Sequence, residues 1–223
     1  MILASASPRR RELMERFWPG QLQVMVPQLE EEPVLARFTD DGGCLLADPS
    51  ADRTLEQLAR ALPAAKIAAL SGQAVLPPDC CLVAADTLVV VDNQVLGKPP
   101  DAAGAIRQLR LLSGRTHTVV TGLCLQVRHG GRTEMFDAAE QTDVRFAALD
   151  ERLIQWYVRT GEPFDKAGSY GIQGGGAALV SRIDGCYYNV MGLPVFRLMA
   201  LLQEAADHFI SYPELAQILP WNR

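Results

Sequence analysis

Within the stretch Ser5-Ala6-Ser7-Pro8-Arg9-Arg10-Arg11, two serine hydroxyls stand beside three guanidinium groups. Ser7 takes the place of a helix N-cap and Pro8 that of the first helical residue. Arginines crowded into a first helical turn are electrostatically misplaced, because the helix N-terminus already carries partial positive charge. Each costs about 0.3–1 kcal/mol there. A bound anion reverses the sign. Free N–H groups at a helix start, hydroxyls and guanidinium forks together make a phosphate site. Arginines pointing into solvent are the plainer alternative.

Asp86 is the second candidate. It interrupts an apolar strand, following Leu82-Val83-Ala84-Ala85 and preceding Leu88-Val89-Val90-Val91. A carboxylate in such a strand is costly unless it is paired, holds a metal or lines a cleft. Thr87 beside it donates or accepts a hydrogen bond. The Asp92-Asn93 turn is expected to fold Leu96-Gly97-Lys98-Pro99 back and bring Lys98 to Asp86. A carboxylate facing a lysine serves a divalent metal, a phosphate and an attacking water; a structural ion pair is the alternative. Glu30, Glu31 and Glu32 follow a strand ending at Pro27, the kind of place where α/β folds bind ligands. One of them is a candidate metal ligand, against the ordinary reading of a solvated face.

The block from Glu162 to Gly176 is the densest in special residues. Gly168, Gly171, Gly174, Gly175 and Gly176 permit close backbone approach to a ligand. Lys166 adds a cation, and Gln173 offers a donor and an acceptor suited to a base edge. No GxGxxG opens a helix after a strand, and no Walker lysine motif is present. His117 reads as a structural hydrogen-bonder, and His129 and His208 as surface residues. With no Ser/His/Asp or Cys/His order, direct attack by water is favoured over a protein nucleophile.

The elements that must position these groups alternate. Strands are expected near 2–4, 22–26, 82–91, 116–126, 133–146 and 177–182. Helices are expected near 8–17, 55–70, 101–112, 150–160 and 193–206. Pro63 should kink or restart the second helix, and Gly130-Gly131 should turn a hairpin. Residues 33–54 read as a loop or irregular insert. Hairpins mixed with crossovers indicate α/β, a mixed twisted sheet flanked by helices. The 223 residues suit a single domain of two lobes over 1–206, with a peripheral tail over 207–223.

Apolar residues make up 48% of the chain, enough for a substantial core, and the net charge is −5. That balance argues against a duplex nucleic-acid partner, which needs a broad positive face. No apolar run reaches membrane-spanning length, and the first residues lack a signal-peptide pattern. The five cysteines show no zinc or CxxC spacing. Reduced core thiols, a cytoplasmic location and no membrane contact are expected.

Taken together, these blocks resemble the Maf family of nucleotide pyrophosphatases. The resemblance covers Leu3-Ala4-Ser5-Ala6-Ser7-Pro8-Arg9-Arg10, Ala85-Asp86-Thr87-Leu88-Val89, Leu96-Gly97-Lys98-Pro99 and Leu112-Ser113-Gly114. It continues through Thr121-Gly122, Asp165-Lys166-Ala167-Gly168, Tyr170-Gly171-Ile172-Gln173-Gly174 and Asn189-Val190-Met191-Gly192-Leu193-Pro194. Each block alone is weak, but their order and spacing are specific.

The resemblance implies an ITPase-like fold with a cleft between two lobes. It implies hydrolysis of a nucleoside triphosphate to monophosphate and pyrophosphate with a divalent cation such as Mg²⁺ or Mn²⁺. Asp86 would accept the proton of the water. Lys98 and Lys66 would hold phosphates, and Arg9 and Arg10, with Ser5, Ser7 and Lys166, would bind the substrate. Glu31 would share the metal with Asp86. Arg9, Thr87 and Gln173 together match the dTTP/UTP branch of the family. A homodimer is also implied, as is an alternative role as a nucleotide-binding regulator of septum formation. Three departures stand out. Residues 33–54 are long, Gln28 replaces an acidic residue, and Pro63 interrupts the helix carrying Lys66, which makes Lys98 the firmer phosphate ligand.

Overall fold

The computed structural model describes residues 1–46 and 51–209. Its strands are β1 (Ile2–Ala4), β2 (Gln23–Met25), β3 (Cys80–Val91), β4 (Gln94–Leu96), β5 (Thr116–His129), β6 (Arg132–Phe146) and β7 (Val180–Asp184). Its helices are α1 (Pro8–Phe17), α2 (Glu32–Leu35), α3 (Ala51–Gln73), α4 (Ala102–Leu112), α5 (Glu151–Arg159), α6 (Tyr187–Met191) and α7 (Val195–His208). The strands form one mixed sheet in the order β2-β1-β3-β5-β6-β7, with β4 also on β3. Parallel pairing joins β1 to β2 and to β3, and the remaining pairs are antiparallel. The mixed α/β sheet expected from the sequence is present.

The two edges of β3 are occupied differently. One is paired along nearly its whole length to β5. The other is shared. β1 takes its first part, at Ile2↔Leu82 and Leu3↔Val83, and β4 takes its last, from Val89↔Leu96 to Val91↔Gln94. Asp86 and Thr87 lie between those two pairings, where the edge has no strand partner among the described residues.

Side-chain alternation along β3 sorts the core. Leu82 and Ala84 pack under the C-terminal half of α3 with Ile67 and Leu70, while Leu88 and Val90 pack under its earlier turns with Leu58, Ala59 and Leu62. On the opposite face, Val83 and Ala85 pack with α1 and α7, while Val89 and Val91 pack with α4 and α5. Asp86 therefore stands at the seam between two apolar clusters on the α3 face. Thr87 stands at the corresponding seam on the other face.

Several elements differ from expectation. Pro63 does not break α3, which runs unbroken from Ala51 to Gln73. Proline deprives the Ala59 carbonyl of its helical donor, and that carbonyl is instead applied to Gly122 of β5, where an added Cβ would lie 1.7 Å from it. Residues 33–54 are not simply a loop. They include most of α2 and the start of α3, and Cys44 bridges to Gln94. β7 begins at Val180 because residues 175–179 are wound into a 3-10 turn. The tail expected to be peripheral falls largely on 210–223, outside the described residues; α7 runs to His208, and Phe209 is buried.

Candidate active site

The β1–α1 junction is built as its residues dictate. Ser7 caps α1 by accepting the Arg10 N–H at 3.4 Å, Pro8 opens the helix, and the buried Ser5 hydroxyl accepts the Ser7 N–H at 3.2 Å. The arginines then diverge. Arg11 pairs with Glu15 on the surface. Arg9 reaches Asp165 at 3.5 Å. Arg10 turns inward, donating from Nε to the Gly192 carbonyl at 2.8 Å and from Nη2 to Thr87 Oγ1 at 3.0 Å. Burial works against its charge and lowers its pKa, while the carboxylates of Asp86 and Glu31 support it. Of the expected arginine cluster, Arg9 and Arg10 turn toward Asp165 and Thr87, and Arg11 is a solvated surface residue.

Asp86 is 8% exposed and is held by the Lys66 ammonium, which also meets Glu31 at 2.8 Å. Lys66 descends from α3 onto the seam between the apolar clusters, so helix and strand meet through one ion cluster. Of the three consecutive glutamates, Glu31 is the one the structure brings in. Its approach is fixed by Gln73 at the end of α3, which accepts the Gln28 N–H at 2.9 Å and donates to the Gln28 carbonyl at 2.6 Å.

The expected meeting of Lys98 with Asp86 does not occur. β4 does fold back on β3, but the pairing ends at Leu96. The Gly97 carbonyl then accepts from the Gly168 N–H at 3.3 Å and from Gln108 Nε2 at 3.2 Å, drawing the chain toward the Gly-rich block. Lys98 is left exposed, with no ion-pair partner among the described residues. Pro63, expected to weaken the case for Lys66, leaves its helix intact, and Lys66 is the lysine that the fold brings to Asp86.

The Gly-rich block also departs from expectation. Its glycines are packed against protein. A Cβ on Gly171 would meet the Lys166 stem at 2.5 Å, one on Gly174 would meet the Glu162 carboxylate at 2.5 Å, and one on Gly176 would meet the Gly171 carbonyl at 2.4 Å. Glu162 accepts from the Gly175 N–H at 2.8 Å and from the Tyr157 hydroxyl at 3.0 Å. The loop therefore cradles an anion of its own. Lys166 is nearly buried and donates to the Glu162 carbonyl at 2.7 Å and to Asp165 at 2.6 Å. Burial opposes the Asp165 charge, but Lys166 and Arg9 hold its carboxyl below the usual range. Gln173 is exposed on this loop and bonds to no described residue.

Glu162, Gln73, Thr121 and Asn189 carry no decisive signal of their own in the sequence. Glu162 has a faint one, as the acid leading a glycine-rich run. Thr121 and Asn189 lie in blocks that carry the family resemblance, but with no role attached, and Gln73 becomes visible only through helix position. His117 is the structural hydrogen-bonder expected, buried at 2.8 Å from the Tyr170 hydroxyl, with its pKa lowered to about 4 by burial. Burial pushes the Cys81 and Cys124 thiols up to about 12, which fits inert core cysteines.

The family model described as Maf-like protein matches residues 1–205. The chain belongs to the Maf family. Among curated relatives, a dTTP/UTP pyrophosphatase of Symbiobacterium thermophilum is 46% identical over 204 residues, covering 92% of this chain and 93% of its own length. One of Anaeromyxobacter dehalogenans is 41% identical over 226 residues, covering 100% and 97%. One of Pyrococcus furiosus is 39% identical over 203 residues, covering 91% and 94%. In this Maf protein the fold brings Asp86, Glu31, Lys66, Arg10, Arg9 and Thr87 to the interrupted edge of β3, and sets Asp165, Lys166 and Gln173 on the facing loop. Such a set can neutralise several phosphates and place a carboxylate beside one of them.

Proposed function

We propose that this Maf protein is a nucleoside triphosphate pyrophosphatase acting on dTTP and UTP, releasing nucleoside monophosphate and pyrophosphate. The observation that carries the reading is the ion cluster of Asp86, Lys66 and Glu31 at the interruption of the β3 edge, beside the inward-turned Arg10. The names of the relatives point the same way.

In this reading Arg9, Arg10, Lys66 and Lys98 bind the triphosphate and offset its charge. A water attacks the α-phosphorus, Asp86 accepts its proton, and pyrophosphate leaves. Once phosphates engage the Lys66 ammonium, Asp86 is released from its ion pair to take that role. Ser5 and Ser7 hold the β1–α1 turn that aims Arg10, and Lys166 holds Asp165 opposite Arg9. Arg9, Thr87 and Gln173 are the groups we assign to choosing the pyrimidine.

Asp86 and Glu31 fit a divalent cation. Both are oxygen donors of the kind Mg²⁺ and Mn²⁺ prefer, and they already converge on a single positive charge. No third acidic, histidine or cysteine side chain completes a cluster among the described residues, so phosphate oxygens and water would supply the remaining ligands. When bound, the cation would neutralise and polarise phosphate oxygens. No helix among the described residues is long and apolar enough to cross a membrane. The free cysteines and the proposed nucleotide substrate support a cytoplasmic setting.

The test is pyrophosphate release from dTTP, UTP, CTP, GTP and 7-methyl-GTP with Mg²⁺ or Mn²⁺. Release from dTTP and UTP, abolished by chelation, is expected. Release from 7-methyl-GTP alone would overturn the branch and leave the family. Binding without release from any of them would favour a nucleotide-binding regulator.

A further inference from the structure

Thr121 of β5 lies directly opposite Thr87 of β3 in the antiparallel register, so the two side chains share a face of the sheet. Thr121 is completely buried, and its hydroxyl donates to the Asn189 carbonyl at 3.0 Å. The two threonine hydroxyls are 3.0 Å apart, and Thr87 Oγ1 is 3.0 Å from Arg10 Nη2. Asn189, also fully buried, is pinned by Nδ2 donating to the Val119 carbonyl and to Thr142 Oγ1, each at 3.0 Å.

Proton counting fixes the direction of this chain. A threonine hydroxyl has one proton and two lone pairs, and a guanidinium has donors only. Thr121 commits its proton to Asn189. It can therefore only accept from Thr87, which commits its own proton to Thr121. Thr87 is left as an acceptor, and Arg10 is the donor it accepts. With Nε held by the Gly192 carbonyl, two of the five guanidinium N–H bonds are anchored and three remain for a ligand.

We propose that Thr121 is a positioning residue for the substrate-binding arginine. It polarises Thr87 into an acceptor and, through Thr87, locks the plane in which Arg10 presents its free N–H groups to the triphosphate. Without the Thr121 hydroxyl, the Thr87 proton loses its acceptor, the hydroxyl is free to rotate, and the lone pair that anchors Arg10 is no longer held in place. The inference rests on the pyrophosphatase reading, because it needs Arg10 to touch the nucleotide.

The test is calorimetric binding of a non-hydrolysable α,β-methylene UTP to the full chain and its variants, joined in a double-mutant cycle. Thr121→Val keeps the shape and removes the hydroxyl. We expect affinity to fall roughly tenfold, the scale of one lost hydrogen bond to a charged group. Thr121→Ser, which restores the hydroxyl, should bind within about twofold of the parent. In an Arg10→Ala background, Thr121→Val should cause no further loss, since it acts through Arg10. Should Thr121→Val not fold, Thr121→Cys, with a weak thiol donor and acceptor, carries the same cycle with a smaller loss. Independent, additive losses at Arg10 and Thr121 would overturn the proposal, as would full affinity in folded Thr121→Val. Failure of the parent protein to bind the analogue would instead overturn the pyrophosphatase reading itself, and the proposal with it.

Discussion

The Lys66 ammonium lies between two carboxylates, touching Asp86 and standing 2.8 Å from Glu31. It is an internal cation in the position where a divalent ion and a phosphate are both expected. Asp86→Asn should lower turnover by about 10²–10⁴-fold, the usual loss for a general base, while leaving the fold intact because Lys66 keeps Glu31. Lys66→Met should destabilise the protein by about 3 kcal/mol, since it strands the Asp86 carboxylate in a nearly buried site. Millimolar Mn²⁺ should then raise the melting temperature of Lys66→Met more than that of the parent. Equal shifts in the two proteins would show that the carboxylates do not share a cation site.

Glu162 determines the shape of the facing loop. Its carboxylate accepts the Gly175 N–H and the Tyr157 hydroxyl, and the Tyr157 oxygen in turn accepts the Gly171 N–H at 3.0 Å. Glu162→Ala removes both acceptors and leaves two donors without partners, at a cost of roughly 1–3 kcal/mol for each one buried. Hydrogen exchange should accelerate at residues 171–176 well before the β3–β5–β6 sheet is affected. Discrimination between UTP and CTP should fall with it, because Gln173 stands on that loop. Unchanged exchange there would mean that the glycines hold the loop by themselves.

His117 gives the fold a dependence on acid. Its folded pKa, about 4, lies below the ordinary value of 6.5, because the ring is buried against Phe146 and Tyr170. The unfolded chain therefore binds a proton that the folded chain refuses, and stability is lost as pH falls from about 6.5 through 4. The integrated loss approaches about 3 kcal/mol. His117→Gln keeps a partner for Tyr170 and does not titrate, so the stability of the two proteins should converge as pH is lowered across that window. Parallel urea-denaturation profiles would remove the assignment.

How much the sequence reveals depends on the range of the interaction. Local chemistry is legible: the Ser7-Pro8 cap, the Asp92-Asn93 and Gly130-Gly131 turns, both hairpins and the buried carboxylate at Asp86 all follow from neighbouring residues. Arg10 and Glu31 are legible as candidates but not as distinct from their neighbours, because only the fold decides which of three adjacent charges turns inward. Lys66 is easily underrated, since a proline in a helix reads as a break when no sheet is in view to receive the freed carbonyl. The glycines of 168–176 read as room for a ligand, and the room is filled by protein: by Val89 at Gly168, by Glu162 and Lys166 at Gly171, Gly174 and Gly175, and by the Gly171 backbone and Tyr157 at Gly176. Thr121 and Asn189 fall within blocks that carry the family resemblance, but their roles leave no local trace, because those exist only in strand register and across the core.

The contact between the Ala59 carbonyl and Gly122 gives the sharpest test of how the site is held. Pro63 withholds the N–H that would otherwise bind this carbonyl, and α3 then settles its open backbone onto β5 at the residue paired with Asp86. Any side chain at 122 drives the helix away from the strand, since even the first carbon would lie 1.7 Å from the oxygen. Gly122→Ala should cost at least about 3 kcal/mol, at the upper end for overpacking because the obstacle is backbone on both sides. The consequence is also functional. Lifting α3 at Ala59 withdraws Lys66, two turns further along the same helix, from Asp86. Folded Gly122→Ala at low temperature should therefore lose activity well beyond its loss of native fraction. A variant as stable and active as the parent would show that this helix–strand approach does not set the geometry of the ion cluster.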